Sequence, residues 1–300
     1  MGTPEFAVPS LQILLQNQYR VVAVVTAPDK PAGRGLQATA SAVKVFALAH
    51  GIAVLQPDKL KAPDFLDQLR SYQADLQVVV AFRMLPEVVW AMPPLGTFNL
   101  HASRLPQYRG AAPINWALIN GESETGVTTF FLQHEVDTGN IIFQEKETIH
   151  EEDDAGSLYE RLRQKGASLV LKTVQAIERQ EYPQTPQQAE PTTRLAPKIF
   201  KEDCQINWNQ PVRSVQNFVR GLSPYPTAWT LVNGKVCKVY RTRIVVDAAV
   251  DDLPVGQFAT DNKTFLHFRA EDGWLAIEEL QVEGRKRLNI GAFLRGNAFA

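Results

Sequence analysis

The sequence predicts an α/β protein, a doubly wound and largely parallel sheet followed by a small antiparallel β-barrel. Three observations predict it. Short apolar and β-branched runs, RVVAVVTA (20–27), LQVVVAF (76–82) and TFNLHA (97–102), alternate with segments of helical spacing over the first half of the chain. A proline-rich stretch at 181–198 then interrupts the pattern. Beyond it come short alternating runs, with Asn233-Gly234 placed as a hairpin turn. Strands that alternate with helices need crossover connections, which set the strands parallel and cover both faces of the sheet. Strands joined by short turns pair antiparallel instead.

The elements follow in order. The chain opens MGTPEFAVPSLQILL, where Gly2-Thr3-Pro4 reads as a turn and Pro9 to Leu15 as the start of a helix. The opening therefore reads as the second half of a strand–turn–helix unit, and the first strand of the sheet is expected to be missing from the chain as written. The strand at 20–27 leads into a long loop, APDKPAGRGLQATASAVK (27–44), with Lys30, Arg34 and Lys44 opposed only by Asp29. Such a loop is either a solvated insertion or a basic finger for a polyanion. Ala42 to His50 and Phe65 to Tyr72 have helical spacing. LYERLRQKGASLVLKTVQAIERQ (158–180) carries Leu158, Leu162, Leu169, Val170, Val174 and Ile177 on one face and closes the domain as a long amphipathic helix. The expected division is a Rossmann-like domain over 1–180, an extended linker over 181–197 and an OB-like barrel domain over 198–300. One helix, PVRSVQNFVRGL (211–222), precedes the barrel strands.

Composition narrows the function classes. With 45% hydrophobic and 21% charged residues the chain can bury a core of ordinary size, and a net charge of −1 gives no global attraction to nucleic acid. Any such attraction has to be local, and 198–300 is mildly basic, with fourteen Lys and Arg against eleven Asp and Glu. Cys204 and Cys237 have no Cys or His neighbours at metal-ligand spacing, so neither a disulfide framework nor a metal site is expected. No apolar run reaches the roughly 18 residues of a membrane span, and Glu5 stands where a signal peptide would be basic. A cytoplasmic protein without membrane contact is expected. Phe6 stands where a myristoylation start needs Ser or Thr.

The densest polar cluster lies in TFNLHASRLPQYRGAAPINWALINGE. On a strand over 97–101, Asn99 and His101 are two apart and share a face at its carboxyl end, where open α/β sheets bind ligands. An amide N–H beside an imidazole can stabilise an oxyanion while the ring moves a proton. Asp137, in the Asp-Thr-Gly turn of HEVDTGNII (134–142), is the candidate partner for the imidazole, and His134 is a weaker candidate. The bland alternative is a structural histidine at a strand end and an ordinary turn. Ser103, Arg104, Leu105 and Pro106 would form one wall of the pocket. No serine sits in a nucleophile-elbow pattern, and Gly33-Arg34-Gly35 is no dinucleotide fingerprint. The residues point to acyl transfer without a protein nucleophile.

Taken together, GTPEFAVPSL, DKPAGRG, FNLHASRLPQYRGAAPINWALINGE, TGVTTF, DTGNII, GLSPYPTAW and the closing FLRG resemble the methionyl-tRNA formyltransferase family in the same order and over nearly the whole chain. The Asn-x-His-x-Ser-x-Leu-Pro core is common to folate-dependent formyltransferases, while the Pro-Ala-Gly-Arg-Gly loop and the second domain point to the tRNA member. The resemblance implies transfer of a formyl group from 10-formyltetrahydrofolate to the α-amino group of methionyl initiator tRNA by a monomer. It implies Asn99, His101 and Asp137 as the catalytic trio, Ser103 to Pro106 as the folate-contacting loop, and Lys30, Arg34 and Lys44 as tRNA contacts. The basic second-domain residues Lys235, Lys238, Arg241, Arg243 and Arg285 to Arg287 are further candidates to follow the tRNA backbone. Arg104 departs from the usual Leu of the family loop. The family also carries a strand directly before Gly-Thr-Pro, so Met1 is expected to be internal, with the natural start about 5–10 residues upstream, a strand's length. Two rivals share the trio or the architecture: a formyltransferase for an amino sugar or purine-pathway amine, and a tRNA-binding protein with an inactive transferase domain.

Overall fold

Helix α1 (Val8–Gln16) carries Pro9 in its first turn, where a missing N–H breaks no helical hydrogen bond. The computed structural model describes residues 1–32, 37–188, 191–246 and 253–296. Strand β1 (Val24–Val25) follows, and then an antiparallel pair, β2 (Lys30–Ala32) and β3 (Gln37–Thr39), on the long basic loop. Helix α2 (Ala42–Ala49) is capped by Ser41, whose hydroxyl accepts from Lys44 N at 3.1 Å. After it come β4 (Val54–Leu55), α3 (Pro63–Ser71), β5 (Gln77–Val80), α4 (Glu87–Trp90) and β6 (Thr97–His101), the strand–helix alternation expected from the apolar periodicity. Then follow β7 (Arg109–Gly110), α5 (Pro113–Ile119), β8 (Glu124–Phe131), β9 (Ile141–Thr148) and α6 (Ala155–Glu178).

Four strands form a sheet in the order β5-β6-β8-β9, with β6 parallel to β5 and antiparallel to β8. Strands β1 and β4 form a separate parallel pair. Met1 and Gly2 lie between the two: Gly2 N donates to Val25 O at 3.0 Å, Met1 N donates to Val78 O at 2.6 Å, and Val80 N donates to Met1 O at 2.9 Å. Beside this bridge a cavity of about 940 Å³ separates Val21–Val25 from Leu76–Val80, with Leu14, Val174 and Ile177 also in its wall. The β1 strand is correspondingly short. The sequence places it at 20–27, and among the described residues only Val24 and Val25 have a partner strand, while 21–23 face the cavity.

Strand β6 divides the domain into a packed face and a working face. Phe98 and Leu100 are buried, and Gly166 on α6 comes so close that a Cβ there would meet Leu100 Cδ2 at 2.7 Å. Leu158, Leu162, Leu169, Val170 and Ile177 of α6 are all fully buried or nearly so, the stripe expected from the sequence. Asn99 and His101 alternate to the opposite face.

Strand β10 (Leu195–Ala196) lies inside the stretch read from sequence as linker, and α7 (Val212–Leu222) opens the second half. Strands β11 (Ala228–Val232), β12 (Lys235–Val245), β13 (Phe258–Thr260), β14 (Leu266–Arg269), β15 (Trp274–Val282) and β16 (Leu288–Asn289) precede α8 (Ile290–Leu294). The β11–β12 turn is Asn233-Gly234 with φ of 50° and 75°, the left-handed pair that a two-residue hairpin demands. The sheet order is β11-β12-β15-β14-β13, with β16 also on β15, so among the described residues β11 and β13 are its ends. The expected OB-like barrel is thus a curled, half-closed antiparallel sheet. Register shifts around Arg241 in β12 bend it, and α7 takes up its inner face with Val212, Val215, Val219 and Leu222. Trp208 stacks on Phe268 with centroids 4.5 Å apart, and its indole N–H donates to Thr230 Oγ1 at 3.0 Å.

By packing, the chain forms two compact units, one of 1–110, 125–147 and 159–195 and one of 111–124, 148–158 and 196–300. Helix α5 belongs with α7: Asn115 Nδ2 donates to Gly221 O at 2.7 Å, and a Cβ on Gly221 would meet Ile119 Cγ1 at 2.6 Å. Thr185 exchanges two backbone hydrogen bonds with Ile141, and Tyr182 packs on Phe131 at 5.6 Å, so residues 182–185 are held along the first unit.

Candidate active site

The site is built at the carboxyl end of β6. His101 is 6% exposed, and its Nε2 lies 2.8 Å from Tyr108 O. A carbonyl oxygen can only accept, so Nε2 carries the proton and Nδ1 is the nitrogen left to gain or lose one. Nδ1 faces Asp137 Oδ2 at 3.9 Å, with the Asp137 side chain 11% exposed. That separation is an ion-pair contact when the ring is protonated and is too long for a direct hydrogen bond. The same carboxylate oxygen accepts from Gly110 N at 3.0 Å. Asn99 is half-buried, and among the described residues its side-chain amide has no hydrogen-bond partner. The fold brings the three expected residues to one place, a mostly shielded imidazole–carboxylate pair with an amide donor beside it on the same strand face.

The turn that presents Asp137 is tightly specified. Asp137 has φ of 55°, a left-handed conformation that Asp tolerates better than most residues, and a Cβ on Gly139 would lie 1.6 Å from Phe131 O. Only glycine fits there. His134 is placed apart from the site, on the surface near Glu87 at 3.6 Å and edge-on to Trp90.

The loop after β6 spends its polar groups on the protein. Ser103 Oγ donates to Gln107 O at 2.6 Å, and Thr128 Oγ1 donates to Ser103 O at 2.7 Å. Leu105 N donates to Thr128 Oγ1 at 3.2 Å, and Gln144 Nε2 donates to Leu105 O at 2.6 Å. Arg104 turns back onto β8, where its Cγ would lie 2.7 Å from a Cβ on Gly126. Pro106 is half-buried on the same loop.

Of the three cations expected to reach a polyanion, Lys30 is exposed. Arg34 lies outside the described residues. Lys44 is engaged: its Nζ is 2.6 Å from Asp29 Oδ2, and Gln56 Nε2 donates at 2.8 Å to both Asp29 Oδ1 and Ala27 O. The hydrogen bonds from Lys44 and Gln56 hold the Asp29 carboxyl below its usual range. This trio ties down the base of the basic loop. In the second unit, Arg241 and Arg243 pair with Glu278 and Arg287 with Glu279, whereas Lys198, Lys201 and Lys238 line a cavity of about 530 Å³ with Tyr225 and Trp229.

Sequence reasoning missed several groups that build the site: the Tyr108 carbonyl, Gly110 N, Thr128, Gln144, Arg109 and Gln187. Arg109 Nε and Nη2 donate to Gln187 Oε1 at 3.1 and 2.7 Å, and Gln187 Nε2 donates to Asp137 O and Gly139 O, each at 2.8 Å. Two of these groups are backbone atoms, which no residue type announces, and Gln187 sits in a stretch whose composition reads as linker.

An amide donor and an imidazole–carboxylate pair at the carboxyl edge of an α/β sheet, with the Ser103 hydroxyl committed to a carbonyl, are groups that can stabilise developing charge and move a proton, the equipment of a group-transfer enzyme. The comparisons narrow that class. The formyl transferase family model matches residues 1–174, and the model of the formyl transferase C-terminal domain matches 198–298. The chain is 52% identical over 304 residues to the methionyl-tRNA formyltransferase of Bacteroides fragilis, covering 99% of this chain and 93% of that one. It is 48% identical over 308 residues to that of Porphyromonas gingivalis, covering 100% and 95%. The chain belongs to the methionyl-tRNA formyltransferase family. Among solved structures, the fold is similar to WlaRD, a sugar 3N-formyl transferase, with a TM-score of 0.68 at 21% identity over 95% of this chain and 97% of that one. It is also similar to HypX from Aquifex aeolicus, with a TM-score of 0.60 at 22% identity over 83% of this chain and 43% of that one.

Proposed function

We propose that this protein transfers a formyl group from 10-formyltetrahydrofolate to the α-amino group of methionyl initiator tRNA, and that it works as a monomer in the cytoplasm, where that tRNA is used. The observation that carries the reading is the pairing of His101 Nδ1 with Asp137 Oδ2 beside the uncommitted Asn99 amide. The high identity to methionyl-tRNA formyltransferases favours this acceptor over an amino sugar, since the likeness to the sugar enzyme is one of fold. Among the described residues no helix is long and apolar enough to cross a membrane.

The chain's own groups divide the work. Asn99 donates its amide N–H to the formyl oxygen as negative charge develops there, the role of an oxyanion-hole donor. His101, its Nε2 held by Tyr108 O, accepts at Nδ1 the proton released by the attacking amine and gives it to the folate nitrogen as the bond from that nitrogen to the formyl carbon breaks, while Asp137 balances the imidazolium in between. The folate supplies the formyl group, and the 103–106 loop is the wall against which it lies. Because Ser103 Oγ and both backbone groups of Leu105 are already bonded within the protein, that wall acts by shape. Lys30 and Arg34 on the basic loop contact the tRNA, while Lys44 serves that contact by holding the loop's base through Asp29.

The test is a formylation assay with methionyl initiator tRNA and 10-formyltetrahydrofolate, run beside nucleotide-linked amino sugars. Turnover on the charged tRNA is expected, with Asn99→Ala lowering kcat by roughly 10²–10³-fold. Formylation of an amino sugar but not of tRNA, or an Asn99→Ala enzyme with normal turnover, would overturn the reading.

A further inference from the structure

The stretch after α6 runs back along the active site. Thr185 pairs with Ile141 through two backbone hydrogen bonds, and further on Arg194 O accepts from Tyr108 N at 2.7 Å. Between them Gln187 has its whole amide committed. Its oxygen takes two N–H groups of Arg109, and its nitrogen donates to Asp137 O and Gly139 O. The orientation of the amide is unambiguous, since guanidinium groups only donate and carbonyls only accept.

The geometry points to Gln187 as a positioning residue for Asp137, setting where its carboxylate stands relative to His101 Nδ1. Two routes converge on that carboxylate. Gln187 Nε2 grips the turn on both sides of Thr138, fixing the backbone that carries Asp137 in its left-handed conformation. Gln187 Oε1 grips Arg109, and the N–H of the next residue, Gly110, holds Asp137 Oδ2. One side chain therefore fixes the Asp137 backbone directly and its carboxylate through Arg109 and Gly110. A neutral amide is suited to this, because it is the side chain that can donate to two carbonyls and accept from a cation at once. The inference rests on reading His101 and Asp137 as the transfer machinery.

Gln187→Glu and Gln187→Ala test it. Glutamate keeps the size and the Arg109 pairing but loses both donors and sets an anion against two carbonyls. In the formylation assay kcat is expected to fall roughly 10–10²-fold, with KM for both substrates little changed, since a small misplacement of a catalytic group is costly to the chemical step alone. The pH profile of kcat should move as well, which loss of packing alone would not produce. Nitrogen-15 histidine NMR supplies a readout that needs no turnover: the His101 Nδ1 resonance should shift in the direction that Asp137→Asn shifts it, in variants whose thermal unfolding stays cooperative. If both variants keep the wild-type kcat, pH profile and Nδ1 resonance, Gln187 has no positioning role. If the wild-type protein formylates no tRNA, the functional reading fails, and the Nδ1 resonance still decides whether Gln187 sets the Asp137 contact.

Discussion

His101 is held in one tautomer by a backbone carbonyl, and its reactivity is confined to the nitrogen that faces Asp137. That assignment depends on a single 2.8 Å contact to Tyr108 O, a residue that itself sits at φ of 61°. Arg104 shows the opposite economy. Its charge departs from the family's Leu, yet its stem fills space beside Gly126 on β8, so the loop keeps an apolar packing surface where the Leu would have supplied one. The two cysteines are equally quiet. Burial pushes the Cys237 thiol up to about 12, and burial followed by the charges of Asp203 and Glu202 raises Cys204. Neither thiol should react with an aromatic disulfide reagent in the native protein at pH 8, and both should react on unfolding in urea. Rapid labelling of the native protein would show that the second unit opens.

At the scale of elements, β9 and α6 are tied by Glu147, which lies 2.8 Å from Arg161 Nε and 3.1 Å from Lys165 Nζ and is 12% exposed. Burial pulls the Glu147 carboxyl upward, and the hydrogen bonds and charges of Arg161 and Lys165 more than offset this, leaving it below its usual value. A carboxylate depressed in the folded state contributes stability above its unfolded pKa and loses it as pH falls through the folded value. Glu147→Gln should therefore lower stability by about 1 kcal/mol in urea unfolding at pH 7, with the deficit constant between pH 6 and 8 and closing in acid below the unfolded carboxyl value. A deficit that persists undiminished into acid would mean that packing, and not the charge, joins β9 to α6. The Asp137 turn is the more exacting element. Gly139 permits the close approach to Phe131 O, and residues 185 and 187 bond to the segment around it, so the Asp137 carboxylate is carried by a turn held from two directions.

At the scale of the whole molecule, a net charge of −1 means that a tRNA must be held by local features. The arginines of β12 and Arg287 are already paired with Glu278 and Glu279, so they offer less than their number suggests. Lys198, Lys201 and Lys238, around the cavity that also carries the exposed Tyr225, are the stronger candidates in the second unit, joined in the first by the exposed Lys30. Four phosphate contacts would weaken tRNA binding roughly 10²-fold between 50 and 200 mM salt, and Lys238→Ala should flatten the slope by about one contact. A wild-type slope near zero would rule out binding through these lysines.

What the sequence by itself determined was local and periodic. Apolar alternation located the strands and the stripe of α6, Asn233-Gly234 located the β11–β12 turn, and the two-residue spacing set Asn99 and His101 on one strand face. The order of its motifs was enough to show the resemblance to a family. Tertiary structure alone decided which groups meet. Asp137 reaches His101 across the sheet, the Tyr108 carbonyl selects the tautomer, Lys44 turns to Asp29, α5 joins the second unit, and a proline-rich stretch becomes a strap that grips the site through Gln187. The reason is physical. Periodicity records which side of an element faces the core, a property of neighbouring residues, whereas a hydrogen bond between distant segments depends on the path of the chain between them. Backbone N–H and C=O groups are the same at nearly every residue, so only the folded path shows which of them does the holding.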